Sequence, residues 1–246
     1  MFCRPFQLAP ICFFAIVLFC VEGVKAESDT RNLRIHRWTT DDGLPQHRIA
    51  CLKQTQDGYL WLGTWYGLVR FNGVSFTVFN EYNTPEFSDS TINALAEDTA
   101  GTLWIGTADG LLSYRDQRFR HYTTKDGLPD PKISRLAAGS SGALWVQTDS
   151  LVVRLENGRF SPPWKPPLPG RVVHFIEEGA DGWLNIFQDK AWVALSPQGD
   201  QIRTNVCLDS SVTWNTGIRA QGTSGMWAGS SNGLHFIEPG TSHSLY

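Results

Sequence analysis

The sequence predicts an all-β fold, a β-propeller built from about five four-stranded blades. Three observations carry that expectation. The stretch GYLWLGTWYGLVRF at residues 58–71 returns as GTLWIGTADGLLSY at residues 101–114. With Trp61 as a marker, equivalent positions fall at Trp104, Trp145, Asn185 and Trp227, spaced by 43, 41, 40 and 42 residues. Nine residues before each marker stands an aliphatic residue (Leu52, Leu95, Leu136, Ile176, Ile218). Three residues further back stand Ile49, Ile92, Ile133 and Val173, with Asn215 departing from the pattern in the fifth copy. A period of roughly 40–45 residues holding four short strands is the mark of a propeller blade.

In chain order, residues 1–26 read as a cleaved secretory signal. Arg4 precedes the apolar run ICFFAIVLFCV at residues 11–21, and Val24-Lys25-Ala26 precede the expected cut. The run is too short to span a bilayer, and an uncleaved anchor is the alternative. The mature chain, residues 27–246, is then one periplasmic propeller with no later membrane span. LRIHRWTTDDGLP (33–45) parallels RFRHYTTKDGLP (118–129), the outer strand of the second copy and its exit loop. An outer strand is therefore expected at residues 33–40, available to complete the last blade and remove open sheet edges.

In the first copy RIACLKQ, YLWLGT, LVRF and FTVF are four strands, with turns at Gln56-Asp57-Gly58, Trp65-Tyr66-Gly67 and Asn72-Gly73. The marker Trp is a large apolar plate suited to the gap between blades, and its indole N–H needs one partner. Where Asn185 replaces it, Trp183 or Phe187 is expected to fill the space. The fifth copy supplies three strands and then TSHSLY. A five-bladed ring closed by the N-terminal strand and an arc of a larger propeller both fit these residues.

Composition narrows the function. There are 21 Lys and Arg against 24 Asp and Glu, a net charge of −3, and no basic stripe. Nothing points to nucleic acid. Three of the five cysteines lie in the signal. Cys51 and Cys207 remain, as small apolar residues or as a bridge. The six histidines have no metal-ligand spacing, and there is neither a nucleophile elbow nor a phosphate loop. No catalytic residue, metal or cofactor is expected. The Asp-Gly pairs beginning at residues 42, 57, 109, 126 and 181 read as turns.

The phrases DGLPQHRI and KDGLPDPKI, with GYLWLGTWYGLVRFNG and GTLWIGTADGLLSYRD, resemble the two-component regulator propeller repeats. The resemblance is specific from Trp38 to Phe160, weakens over residues 161–215, and recovers from Gly225 to Phe236. It implies a periplasmic sensor propeller of the kind that precedes a membrane span and a histidine kinase or diguanylate cyclase, here without its own output module. Such a kinase or cyclase is then the implied partner.

A ligand is expected where the loop into the first strand meets the turn between the second and third strands, since loops on a rigid scaffold carry binding. The candidates are Gln46, His47, Arg48, Trp65, Tyr66, Asp109, Lys132, Trp214 and Asn215. Trp65 and Tyr66 could stack on a sugar ring or pack against a neighbouring loop. The expected function is ligand sensing, of a small molecule or glycan. The alternatives are a secreted propeller enzyme of lyase or glycosidase type and a protein-interaction scaffold.

Overall fold

Short strands alternate with glycine turns along the whole computed structural model. It describes residues 35–149, 151–164, 173–179, 181–188, 191–206, 214–219, 226–230 and 233–237. The expected signal at residues 1–26 lies outside them, as does Cys207. No helix among the described residues is long and apolar enough to cross a membrane. Contacts divide the chain at residues 37 and 38, and every sheet belongs to the second part.

Four antiparallel sheets of four strands follow one another, each in simple up-and-down order. Blade 1 holds β1 (Cys51–Gln54), β2 (Leu60–Thr64), β3 (Gly67–Phe71) and β4 (Phe76–Phe79). Blade 2 holds β5 (Ile92–Glu97), β6 (Leu103–Thr107), β7 (Gly110–Arg115) and β8 (Arg118–Tyr122). Blade 3 holds β9 (Ile133–Ala138), β10 (Leu144–Thr148), β11 (Val152–Glu156) and β12 (Arg159–Phe160). Blade 4 holds β13 (Val173–Glu178), β14 (Leu184–Gln188), β15 (Ala191–Leu195) and β16 (Ile202–Val206). A further sheet of three described strands holds β17 (Trp214–Arg219), β18 (Met226–Ser230) and β19 (Gly233–Ile237). The first strands of successive sheets pack side by side in chain order.

Blades 1 to 4 bury apolar faces against one another in chain order. Strand alternation sends Trp61 and Leu68 to one face of blade 1, where they meet Ile92, Leu103, Ile105 and Leu112 of blade 2. Leu111 and Ala96 on the other face of blade 2 meet Leu144, Val146, Val153 and Leu155 of blade 3. Ala137, Trp145 and Val152 then meet Ile176, Leu184, Ile186, Val193 and Leu195 of blade 4. Each fully buried Leu or Ile in such a seam contributes about 1.5–3 kcal/mol.

The isoleucine landmark and the glycine of LW-x-GT have one explanation. A Cβ on Gly106 would stand 2.6 Å from Cγ2 of Ile133, and a Cβ on Gly63 would stand 2.8 Å from Cγ2 of Ile92. In blades 2 and 3 the isoleucine twelve residues before the marker thus sits in the hole left by the previous blade's glycine. The Cys51 thiol shares the hole at Gly63, and burial pushes its pKa up to about 12. It is a free, small apolar residue here.

The marker tryptophans Trp61, Trp104 and Trp145 are interblade plates, and each of their indole protons finds an acceptor. Trp61 Nε1 donates to Thr55 Oγ1 at 3.1 Å, and Trp104 Nε1 to Asp98 Oδ2 at 2.8 Å. In blade 3 the same turn position is Gly139, which has no side chain to offer. Glu178 of blade 4 reaches into that vacancy and accepts from Trp145 Nε1 at 2.7 Å. In blade 4 neither expected residue replaces the marker alone. Trp192 on β15 takes over, its Nε1 donating to Asn185 Oδ1 at 2.9 Å, beside the buried Phe187.

Two further expectations are corrected. Residues 35–39 form no strand, and Thr40–Asp42 is a 3-10 turn, so the strand expected at 33–40 is not formed over its described part. The capped turn that follows the expected strand does form. Asp42 accepts the Thr39 N–H at 2.7 Å, Thr39 Oγ1 accepts from Asp41 N–H at 3.3 Å, and Gly43 closes the turn at φ 102°. The DGLP loop at Thr123–Gly127 repeats this cap, with Gly127 at φ 101°. In the fifth copy the pairing is shifted by one. Trp227 pairs with Ile218, where Trp104 pairs with Ala96, the residue eight before its marker. The connection between β17 and β18 is one residue longer. Trp214, opposite Ser230, therefore holds the register position of Ile92, Ile133 and Val173, and Asn215 does not.

All five Asp-Gly glycines have positive φ, from 77° at Gly182 to 124° at Gly110, as turn residues should. Gly106→Ala is expected to destabilise the protein by about 1–3 kcal/mol through overpacking. In urea unfolding the Gly106→Ala/Ile133→Ala double variant, which lacks the clashing Cγ2, should lose less stability than the two single variants together, whereas an effect confined to strand propensity would simply add.

Candidate functional site

At one end of each blade the incoming loop meets the turn between the second and third strands. The threonine of LW-x-GT holds that turn. Thr64 Oγ1 donates to the Gly67 carbonyl at 2.8 Å and accepts the Tyr66 N–H at 3.1 Å. Thr107 does the same with Gly110 and Asp109, at 2.9 and 3.0 Å. The residue thirteen before the marker then faces the residue four after it. In blade 1 the Arg48 guanidinium lies 4.4 Å from the centroid of the Trp65 ring. In blade 2 the Ala108 N–H donates to the Thr91 carbonyl at 3.2 Å. In blade 3 Lys132 Nζ pairs with Asp149 Oδ2 at 2.9 Å, and Ser134 Oγ donates to the other carboxylate oxygen at 3.1 Å.

The structure brings Gln46, Arg48 and Trp65 together. Gln46 Nε2 donates to the Arg48 carbonyl at 2.8 Å, fixing the loop that carries the guanidinium. His47 is exposed beside them. Trp65 is 48% exposed although Arg48 covers one face of its ring, and Tyr66 is 64% exposed. Asp109 is held through its backbone, its carbonyl contacting Ser88 Oγ at 3.3 Å and His121 Nε2 at 2.8 Å, and its side chain is exposed. Lys132 is committed to Asp149. Trp214 and Asn215 begin β17, and their side chains lie outside the described residues.

Sequence reading missed Tyr82, on the loop after β4, which is 88% exposed. Its hydroxyl is held above the ordinary tyrosine range by a hydrogen bond to the Glu81 carboxylate, with the charge of Glu81 and then Tyr66 adding to the effect. A Cβ on Gly67 would touch the Phe79 carbonyl and Asn80, so the Tyr66 turn abuts the start of that loop. The signal available in the sequence was the length of the NEYNTPEFSDS connection, an aromatic on a loop with no core to fill. Among the described residues no three His, Cys, Asp or Glu side chains gather as metal ligands.

Sequential up-and-down antiparallel blades with their first strands side by side define a protein of the β-propeller class. Residues 43–66 and 86–109 match the family model "Two component regulator propeller". Over 77 residues, 31% of this chain and 6% of the other, the sequence is 32% identical to Histidine kinase P4 of Formosa agariphila. The fold is similar to the extracellular domain of the hybrid two component system BT3049 from B. thetaiotaomicron, with a TM-score of 0.71 and 22% identity over 85% of this chain and 31% of that one. It is also similar to virginiamycin B lyase from Staphylococcus aureus, with a TM-score of 0.62 and 17% identity over 81% of this chain and 73% of that one.

The hydrogen bond from Lys132, with Ser134 adding to it, holds the Asp149 carboxyl below the usual range against a smaller opposing effect of burial. The same bond holds Lys132 above its ordinary value. The contribution of the pair is complete above the unfolded carboxylate pKa and is lost as pH falls through the depressed folded value. Both groups are half exposed, so solvent screens the pair and its contribution is small. Lys132→Met should raise the Asp149 pKa toward the ordinary value in a carboxylate NMR titration. An unmoved titration would mean that Asp149 is held by other groups.

Proposed function

We propose that this chain is the ligand-sensing β-propeller of a bacterial two-component-type signalling system. It is exported to the periplasm after loss of residues 1–26. It binds a small molecule or glycan at the loop face of blade 1 and passes the change to a membrane sensor kinase or cyclase. The observation that carries this reading is the coincidence of two features. The segment matching the regulator-propeller model at residues 43–66 contains the loop and turn that leave Trp65 and Tyr66 exposed beside Arg48 and Gln46. Aromatic rings on a turn with no core to fill suit stacking on a sugar or another flat, weakly polar ligand. The adjacent guanidinium and amide supply directional hydrogen bonds. The likeness to extracellular sensor domains supports the location.

A thermal-shift panel of mono- and oligosaccharides and small polar metabolites tests the proposal. A ligand present at a hundredfold its Kd should add about 2.7 kcal/mol of stability. That should raise Tm by several degrees for a protein of about 200 residues. The Trp65→Ala/Tyr66→Ala double variant should weaken binding at least tenfold and leave the ligand-free Tm nearly unchanged, because both side chains are exposed. Binding that survives in the double variant would move the site elsewhere.

A further inference from the structure

The seams between blades differ at the opposite end of the strands, where the first strand turns into the second. Eight residues before the marker, blades 2 and 3 carry the buried Ala96 and Ala137, which close the gap to the next blade. Blade 1 carries Lys53 at that position, paired with Trp61. In the seam between blades 3 and 4 the remaining space is taken by Glu178, bonded to Trp145 and, at 3.3 Å, to the Ser141 hydroxyl. In the seam between blades 1 and 2 the equivalent residue is Glu97. There the Trp61 indole is already satisfied by Thr55, and Glu97 turns to the Gln56 N–H, which approaches its two oxygens at 3.0 and 3.1 Å.

What remains is a cleft of about 400 Å³ whose polar groups come from Lys53, Gln54, Gln56, Glu97 and Thr99. Asp98, also at its edge, is spent on the Ala100 and Thr102 N–H groups and the Trp104 indole. Lys53 is half-buried, and among the described residues it has no hydrogen-bonding or ionic partner. Arg70, two strands across on the same face, is by contrast stacked on Tyr59 at 4.7 Å and bonded to the Tyr114 hydroxyl at 3.4 Å. An ammonium with no protein partner is free to donate charge-assisted hydrogen bonds to an anion. The cleft volume lies within the range of small-molecule sites.

We propose that this cleft binds a small hydroxylated carboxylate. The carboxylate of the ligand pairs with Lys53 Nζ, and its hydroxyls donate to Glu97 and exchange hydrogen bonds with the Gln54 amide and the Thr99 hydroxyl. The site is independent of the Trp65 face, which lies at the other end of the same strands.

The test is an NMR titration of the full chain with three probes: gluconate, sorbitol (the same carbon chain with a hydroxymethyl group in place of the carboxylate) and acetate. Gluconate should bind with Kd near or below about 1 mM and shift the amides of residues 53–56 and 97–99. Sorbitol and acetate should each bind at least tenfold more weakly. Lys53→Met, which keeps the aliphatic stem, should weaken gluconate at least tenfold, and Lys125→Met on the exposed DGLP turn should not. Sorbitol or acetate matching gluconate, gluconate binding unchanged in Lys53→Met, or no shift at residues 53–56 and 97–99 would each overturn the proposal. A native amide spectrum of Lys53→Met separates lost binding from lost folding.

Discussion

Burial of both faces of a short sheet governs the rest of this molecule. A four-stranded sheet standing alone would leave both of its apolar faces in water, and an apolar sheet face must be buried against another element. Stacking removes that cost for every blade with a neighbour on each side. The price is that each seam must mesh. The glycine of LW-x-GT, the isoleucine of the following blade and the marker tryptophan are three parts of one such mesh, Gly106 against Ile133 beside Trp104 being one instance. Blade 1 shows what a less covered face looks like. Leu52 is 66% exposed, whereas the equivalent Ile176 is 4% exposed.

The indole proton imposes a second constraint, and the seams answer it differently. Thr55 or Asp98 answers it within a blade, Glu178 from the next blade, and Asn185 by exchanging roles with Trp192. These answers decide what space is left between blades. Where a neighbouring carboxylate is drawn onto the indole, the seam is sealed. Where the blade's own threonine suffices, the carboxylate is free for the backbone and a polar cleft opens. Differences in the space left between blades thus follow from one-residue differences at the turn that faces the tryptophan.

The repeat period, the four strands of the first copies, the turn glycines and the buried role of tryptophan were all legible in the sequence, because each is local or repeats at a fixed interval. The strand expected at 33–40 is not formed over residues 35–39, although the capped turn that follows, at Thr39–Gly43, matches the one after β8. The fifth copy was misaligned because a single added turn residue reverses which face a strand residue occupies. The candidate site was half legible. Trp65, Tyr66, Arg48 and Gln46 were named from turn position alone. That Lys132 is spent on Asp149, and that Lys53 has no partner, depends on neighbours that sequence spacing does not reveal.

The central claim is that seams, and not the individual sheets, hold this propeller and shape its clefts. A double-mutant cycle of Trp145→Phe with Glu178→Ala tests it across a single hydrogen bond between blades 3 and 4. The account predicts non-additive losses of unfolding free energy, with a coupling of about 1.5–3 kcal/mol, as expected for a hydrogen bond to a charged group. Losses that add to within about 0.5 kcal/mol would mean that blades 3 and 4 are stabilised separately, and would contradict it.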